Sequence, residues 1–403
     1  MTPRANLIQK AAVLFSAAVL QCFVMPAAAA SQAGRTGLEV GGLPAINFDS
    51  DEGFGYGAIA ELYQYGDGTS APYSWTLQPT VFLTTEGRRD FTVFFDAPNV
   101  IPGGWRLDVF AGSERQIATP YYGTGNTSVF DEALEAEEGP NPSFYRYGRL
   151  RRSLTANLQR GLGDTSLRLL VGVGLVRHSL TPVPDGSATT LFASDVGTQG
   201  TSNWANFGRA GLIWDTRDRE TGPGRGSWSE VIVQRVPGAL GADRSYNRLT
   251  LTDRRYFTLA PGLVFAHRYL VQQVSEGAPV HELFQVQTSF KQQEGLGGAK
   301  TVRGLPKNRY VGRGMLIWNA ELRWRATDFQ AVGRSFHVVL SGFVDQGRVW
   351  QDGVDVSELL SELHRGYGGG VRLGMGENFT VAIDLATSDE TGLPMYIGLG
   401  YLY

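Results

Sequence analysis

Segments of strand length in which apolar and charged residues alternate constrain this chain more than any other feature. Apolar residues occupy every second position from 316 to 324, and Asn319, Glu321 and Arg323 lie between them. Similar segments run from 167 to 175 and from 379 to 385. Successive side chains of a strand point to opposite faces of a sheet, so each segment has one apolar and one polar face. A charged face turned inwards and an apolar face turned outwards is typical of a transmembrane β-barrel, and the reverse of a soluble barrel.

Clusters of Gly, Pro and Asp divide the chain into about sixteen such segments, and bacterial single-chain barrels have an even number of strands. We predict strands near 44–49, 55–64, 75–84, 91–96, 105–113, 146–158, 166–177, 203–215, 227–236, 246–258, 263–274, 315–326, 335–346, 368–375, 379–388 and 395–403. No apolar stretch after residue 30 has the length of a membrane-spanning helix, which excludes a helical membrane protein. The predicted fold class is therefore all-β, a single transmembrane antiparallel β-barrel of about 16 strands.

The first thirty residues have the three parts of a secretory signal peptide. Arg4 and Lys10 form the basic part, 11–24 is an apolar run too short to span a bilayer, and three alanines at 28–30 offer a cleavage site. We predict a cleaved signal peptide at 1–30, a short N-terminal segment at 31–43 and an outer-membrane β-barrel at 44–403. Cleavage would remove Cys22, the only cysteine, and would take the formal net charge from −3 to −5. That balance argues against a nucleic-acid partner, which needs a basic face.

The last nine residues predict the closing strand. Met395, Ile397, Leu399, Tyr401 and Tyr403 alternate with other residues and would form one apolar face towards lipid. An aromatic last residue on such a strand resembles the C-terminal signal by which outer-membrane barrels are recognised during assembly. We therefore take Ile397, Leu399, Tyr401 and Tyr403 as an assembly signal, which makes the barrel assembly machinery a partner.

Connection lengths give the orientation. If both ends lie in the periplasm, the long connections 114–145, 178–202, 275–314 and 347–367 all lie outside the cell, and the turns on the other side are short. The acidic run 131–138 would then be extracellular. Two interpretations of it stay open, a solvated loop and a cation site that bridges lipopolysaccharide, of which the first is the commoner.

Four segments in order resemble the BamA/TamA outer-membrane assembly-factor superfamily, also called the bacterial surface antigen barrel. They are the "yyGiGN"-like stretch 121–126, the turn 214–218 with Asp215, Arg217 and Asp218 followed by Pro223 and Gly226, the loop-six motif 301–305 with Val302, Arg303 and Gly304, and the "FvDaG"-like stretch 342–347. Each motif alone is weak, but the ordered set spans most of 43–403.

The resemblance implies that the sixth extracellular loop folds into the lumen. Arg303 would then pair with Glu321 and Asp345 on the inner face, with Phe343 packed beside it. The alternation of residues independently puts these three on the lumen face. A guanidinium suits a carboxylate geometrically, and the pair would be partly desolvated there. In Leu305 the chain departs from the family, which usually has an aromatic residue after Arg-Gly.

A second departure concerns the N-terminus. Relatives that insert or secrete proteins carry periplasmic POTRA domains before the barrel, and 31–43 is too short for one. The chain therefore resembles barrel-only members without POTRA domains. Whether a separate periplasmic protein replaces these domains, and whether two copies pair, stays open.

The resemblance implies insertion or translocation of polypeptide or lipid at the outer membrane, through a lateral seam between the first and last strands. The alternative is a passive pore or structural barrel. An enzyme is not expected, because the chain has no Gly-x-Ser-x-Gly and no His-Glu-x-x-His motif. Its five histidines, at 178, 267, 281, 337 and 364, have no metal-ligand spacing, so neither a metal nor a cofactor is expected. Lipids and lipopolysaccharide of the outer membrane are the remaining expected partners.

Overall fold

The computed structural model describes residues 36–49, 53–67, 73–101, 103–135, 139–184, 189–199, 201–220, 222–289, 293–331, 334–353, 356–375 and 379–403. The predicted signal peptide lies outside these residues, as do 136–138 of the acidic run. Among the described residues, no helix is both long and apolar enough to cross a membrane.

The described part of the chain is almost entirely strand. The strands are β1 (Leu38–Asp49), β2 (Gly53–Gln64), β3 (Trp75–Thr84), β4 (Arg89–Ile101), β5 (Trp105–Pro120), β6 (Arg146–Gly161), β7 (Leu167–Thr181), β8 (Thr201–Trp204), β9 (Phe207–Asp215), β10 (Gly226–Val236), β11 (Tyr246–Ala260), β12 (Leu263–Val274), β13 (Gln285–Val286), β14 (Gln293–Glu294), β15 (Gly314–Ala331), β16 (Arg334–Trp350), β17 (His364–Met375), β18 (Phe379–Thr387) and β19 (Met395–Leu399). Three short α-helices, α1 (Glu132–Glu135), α2 (Leu191–Val196) and α3 (Val280–Leu283), and two 3-10 turns, Gly238–Leu240 and Val356–Glu358, lie in connections.

One antiparallel sheet of seventeen strands contains all of them except the small hairpin β13–β14. Apart from β8, each strand of this sheet pairs with the next strand of the sheet along the chain, and β1 also pairs with β19, so the pairing returns to its start. β8 and β9 both pair with β7, and they count as one interrupted strand. The described chain therefore has sixteen strand positions, and the predicted all-β barrel of about sixteen strands is confirmed.

Several strands differ in length from the prediction, for example β5, which ends at Pro120 rather than at 113, and two differences have a clear local cause. The predicted strand 203–215 is interrupted at residues 205 and 206, where Asn206 Oδ1 accepts the hydrogen bond of the Val176 amide in place of a backbone carbonyl. β1 begins at Leu38, six residues before the predicted start, and pairs with β2 along its whole length. Gly41 and Gly42 interrupt the side-chain alternation there, so the sequence pattern missed a segment that backbone pairing holds in place.

The two faces of the sheet have the expected character. On β7 the side chains of Leu169, Val171, Val173 and Leu175 are exposed on the outer face, where lipid would contact them. Buried arginines, glutamines and acids line the inner face, among them Arg248, Arg268 and Glu321. The inside of the barrel is therefore polar and highly charged, whereas the outer face is apolar.

Long connections gather at one end of the barrel. They are 121–145, 182–200, 275–313 and 351–363. The longest, 275–313, is called loop six below. It contains α3 and the β13–β14 hairpin and folds into the lumen, where Val302, Leu305 and Tyr310 pack against Leu270 and Ile317 of the wall. Loop six thus fills much of the lumen.

Candidate functional site: the loop-six arginine

Arg303 of loop six reaches the inner wall and binds three carboxylates. Its Nε donates to Asp345 Oδ2 at 2.7 Å and its Nη2 donates to Asp345 Oδ1 at 3.1 Å, so the two side chains form a bidentate ion pair. Its Nη1 donates to Glu321 Oε2 at 3.2 Å and to Asp384 Oδ2 at 3.0 Å. The Arg303 amide also donates to Asp345, at 3.1 Å. Because the residue is only 1% exposed, these bonds are made away from water and are strongly oriented.

Phe343 supports the same guanidinium from one side. The guanidinium carbon lies 3.4 Å from the centre of the Phe343 ring, a stacked cation–π contact. Phe343 and Asp345 are two residues apart on β16 and share the lumen face, and Glu321 pairs directly with Phe343 from β15. A flat guanidinium fits between a ring and a carboxylate in a way that a lysine ammonium does not.

Two further arginines balance the charge of the acids. Arg323 donates to Glu321 at 3.0 Å, and Arg372 forms a two-pronged pair with Asp384 at 2.5 and 3.1 Å. Three arginines therefore face three carboxylates in one buried network. Sequence reasoning missed Asp384 and Arg372. The alternation of these two residues with apolar neighbours predicts that they face the lumen. It does not predict their position along the barrel axis.

Neighbouring residues of the motif hold the loop in place. Val302 and Leu305 are fully buried in the apolar cluster beneath the loop, so Leu305, the departure from the family pattern, contributes to this packing. Gly304 has a φ of +96°, a conformation that side chains rarely adopt. Its amide donates to Tyr396 Oη at 3.2 Å, and its carbonyl accepts a hydrogen bond from the Ser388 hydroxyl at 2.7 Å. The motif is thus tied to β19 and to the connection before it.

Gly366 of β17 makes the room in which the loop backbone lies. A Cβ built on Gly366 would come within 1.8 Å of the Arg303 carbonyl oxygen, a backbone atom that cannot move aside without moving the motif. We expect Gly366→Ala to lower the free energy of unfolding by about 1–3 kcal/mol, because overpacking displaces the loop. Thermal unfolding and protease cleavage within loop six measure this.

Gly342→Ala is the matched control, because a Cβ on Gly342 of β16 meets nothing within 4 Å. It should change stability by no more than about 0.5 kcal/mol. Equal stability of the two variants would show that the loop does not depend on the space at Gly366.

Comparison with known proteins identifies the family to which this arrangement belongs. The model of the Omp85 superfamily domain matches residues 66–401. The chain belongs to the Omp85 superfamily. No curated protein matches the chain.

Solved structures agree in fold with this Omp85 chain. BamA from Haemophilus ducreyi, solved without POTRA domains 1–3, is similar at 13% identity and a TM-score of 0.56, over 91% of this chain and 70% of that one. CdiB from Escherichia coli is similar at 12% identity and a TM-score of 0.57, over 90% of this chain and 63% of that one. At these identities the likeness concerns the barrel fold. The family places the chain in the bacterial outer membrane.

The turn motif of the Omp85 chain lies apart from the arginine network. Arg217 donates to both oxygens of Asp215, at 2.9 and 3.1 Å, and its guanidinium lies 4.3 Å from the centre of the Trp228 ring. Asp218 Oδ1 accepts the amides of Gly224 and Arg225. These bonds all lie in or beside the connection between β9 and β10. The motif therefore stabilises that one turn.

The C-terminal residues correct the prediction that the last tyrosines face lipid. Ile397 lies in β19 opposite Phe48, but the strand ends at Leu399, and Gly400 has a φ of +76°. The chain then turns inwards. Tyr403 donates to the carbonyl of Ala266 at 3.0 Å and is buried, and the Arg323 guanidinium lies 4.4 Å from the Tyr401 ring centre.

The physical reason for this difference is Gly400. Its left-handed backbone conformation ends the strand, and with it the alternation on which the prediction rested. The side chain of Leu399 lies outside the described part. Whether Ile397, Leu399, Tyr401 and Tyr403 form an assembly signal stays a prediction.

His178, His281 and Glu282 come together beneath the mouth of the barrel. Their ligand atoms lie within 4.8 Å of one another, and His178 Nε2 is 2.7 Å from Glu282 Oε1. Sequence spacing missed this cluster, because β7 and loop six are far apart in the chain. Burial, with His178 nearby, lowers the pKa of the His281 imidazole to about 3. Arg248 binds the other Glu282 oxygen at 3.1 Å, so the carboxylate already has a cationic partner. The cluster serves to attach loop six to the wall.

Proposed function

We propose that this Omp85 chain inserts or translocates polypeptide or lipid at the outer membrane through a lateral seam between β1 and β19. One observation carries the proposal. Among the described residues, β1 and β19 pair at two positions, Phe48 with Ile397 and Asp49 with Tyr396, whereas β1 and β2 pair at twelve. Within that part of the chain, the junction between first and last strands has the fewest paired positions in the sheet.

A short ladder is easy to separate and leaves free backbone groups. Each backbone hydrogen bond contributes on the order of 1 kcal/mol net, so two paired positions resist opening far less than twelve. Along 38–47 the outer edge of β1 has no paired partner among the described residues. An unpaired strand edge is a template on which another strand can add. An incoming client segment in an extended conformation fits that edge.

Glycines in and after the closing strand also weaken the seam. Gly398 lies within β19, where a glycine lowers strand stability, and Gly400 ends the strand. The arginine network lies next to this seam, since Tyr396 of β19 accepts the Gly304 amide. Loop six is therefore placed to support the closed form of the seam and to respond when it opens.

A passive pore is the second candidate, and the charged lumen favours it. The position of loop six argues against it, because residues 301–305 are buried in the middle of the barrel. We propose no catalytic role, because the site around Arg303 is an ion-pair network rather than a nucleophile beside a base. As partners we propose the machinery that inserts the barrel itself and the lipids and lipopolysaccharide of the outer membrane. A periplasmic protein and a second copy of the chain are further candidates.

Depletion of the protein in its host tests the proposal. The outer-membrane and surface proteomes are quantified with and without rescue by the wild-type gene, together with uptake of small hydrophilic solutes. We expect a defined set of barrels or surface molecules to fall and to recover on rescue. If solute uptake falls while both proteomes and surface lipids are unchanged, the chain is a pore and the seam has no client.

A further inference from the structure

A row of arginines lies on the outer face of the barrel at the end with the long loops. Arg89, Arg115, Arg152 and Arg177 belong to four successive strands, β4 to β7, and all four are exposed. They share the outer face with exposed apolar residues such as Phe91, two positions from Arg89. Charged side chains on this face are costly unless they lie near a membrane surface. The row therefore lies at the level of lipid headgroups, on the extracellular side.

Pairing places like charges side by side in this row. Arg89 is directly opposite Arg115, and Arg152 is directly opposite Arg177. Arg115 and Arg152 are diagonal neighbours, because Arg152 pairs with Ser113. Like charges directly opposite each other on a sheet repel.

None of the four has an ion pair among the residues that the structure describes. Arg177 instead donates to the Ser202 hydroxyl and lies 5.4 Å from the Trp204 ring centre. Within the described part of the chain, the row thus has no ion-paired protein anion that offsets its charge, and an external anion would relieve the repulsion.

An apolar groove begins at two of these arginines. It has a volume of about 850 Å³, crosses β2 to β8, and has Arg152 and Arg177 in its lining. Small residues, Ala58, Ala60 and Ala111, make its floor. From Arg152 the lining continues along the strand to Leu154, which pairs with Ala111 on one side and Leu175 on the other. The groove therefore leads from a cationic rim into the apolar belt.

We propose that this face binds an acylated lipid with a phosphorylated headgroup, drawn from the outer leaflet. An acyl chain lies in the groove, and phosphate oxygens accept hydrogen bonds from Arg152 and Arg177, with Arg89 and Arg115 adding positive charge. Guanidinium groups bind phosphate with two parallel hydrogen bonds, which explains arginine in all four positions. Trp204 borders the site as an interfacial aromatic residue. Arg152 and Arg177 lie on β6 and β7, away from the β1–β19 seam, so the site does not depend on the proposed function.

Binding of diphosphoryl lipid A to the purified full-length protein in dodecyl maltoside micelles, followed by native mass spectrometry, tests the site. We expect the double variant Arg152→Gln/Arg177→Gln to raise the Kd by about tenfold or more. Ala111→Phe should also weaken binding, because the ring fills the groove. Arg235→Gln is the matched control. Arg235 is exposed on β10 near the same end, is hydrogen-bonded to Asn247, and lies outside the groove.

A second comparison uses the wild-type protein alone and needs no variant to fold. Lipid A from which both phosphates have been removed should bind about tenfold more weakly than the diphosphoryl form. Equal binding of the two lipids, or an equal loss in Arg235→Gln and in the double variant, would overturn the proposal. Either result would mean that this row of arginines does not select a phosphorylated headgroup.

Discussion

Replacement of Arg303 by alanine is expected to lower the free energy of unfolding by about 3–5 kcal/mol, the largest stability effect of any single substitution in the lumen. The guanidinium binds Asp345, Glu321 and Asp384 at once, and all three are buried. Without it, three carboxylates share only two arginines, Arg323 and Arg372. An unpaired buried carboxylate costs several kcal/mol, which is the reason for the expected size.

Urea unfolding in lipid vesicles and heat-dependent gel mobility measure the loss. Arg313→Ala is the matched control on loop six, because its partners Glu276 and Asp352 are 88% and 93% exposed in their side chains. Exposed ion pairs contribute little, so this variant should lose no more than about 1 kcal/mol. A loss of that size in Arg303→Ala as well would mean that the network does not hold the loop.

A double variant separates the buried charge from the lost packing. Asp345→Asn alone should destabilise the protein, because it removes the two-pronged partner of Arg303. In the Arg303→Ala background the same change should restore stability in part, because it removes one uncompensated charge. We expect a coupling energy of at least about 1 kcal/mol between the two positions. Purely additive losses would point to packing on Phe343 as the main effect.

The sequence predicted part of this site for physical reasons. Alternation alone put Glu321, Phe343 and Asp345 on the lumen face, because side chains of a strand change face at each residue. Only the resemblance to a family brought Arg303 to them, since a loop carries no periodicity. Asp384 and Arg372 were missed because strand register decides which inward-facing residues lie at the same level along the barrel axis. Register depends on turns and on pairing along each neighbouring strand.

Single residues with special backbone or hydrogen-bonding roles account for the other differences. Gly400 turns the chain inwards, so Tyr403 contacts Ala266 instead of lipid. Asn206 breaks one strand in two by replacing a backbone acceptor with its side chain. A pattern of apolar and polar residues cannot show either event, because both depend on one φ angle or one side-chain oxygen.

Locking the seam is expected to abolish function while the barrel stays folded. Phe48 and Ile397 lie directly opposite each other on β1 and β19. Opposed Cα atoms in antiparallel strands are about 4.5–5.5 Å apart, within the range for a disulfide. The variant Phe48→Cys/Ile397→Cys, oxidised in depleted cells, should give the same outer-membrane proteome as depletion alone. Reduction should restore the wild-type proteome, because the seam can then open.

Phe48→Cys/Phe54→Cys is the matched control, because it shares one cysteine and crosslinks β1 to β2, which already pair at twelve positions. That crosslink leaves the seam free, so oxidised control cells should keep full function. Gel mobility before and after reduction shows what fraction of each variant is crosslinked. If the fully crosslinked seam rescues depleted cells as well as the control does, clients do not pass between β1 and β19. The short ladder would then be a feature of the closed barrel alone, and loop six would have to act from within the lumen.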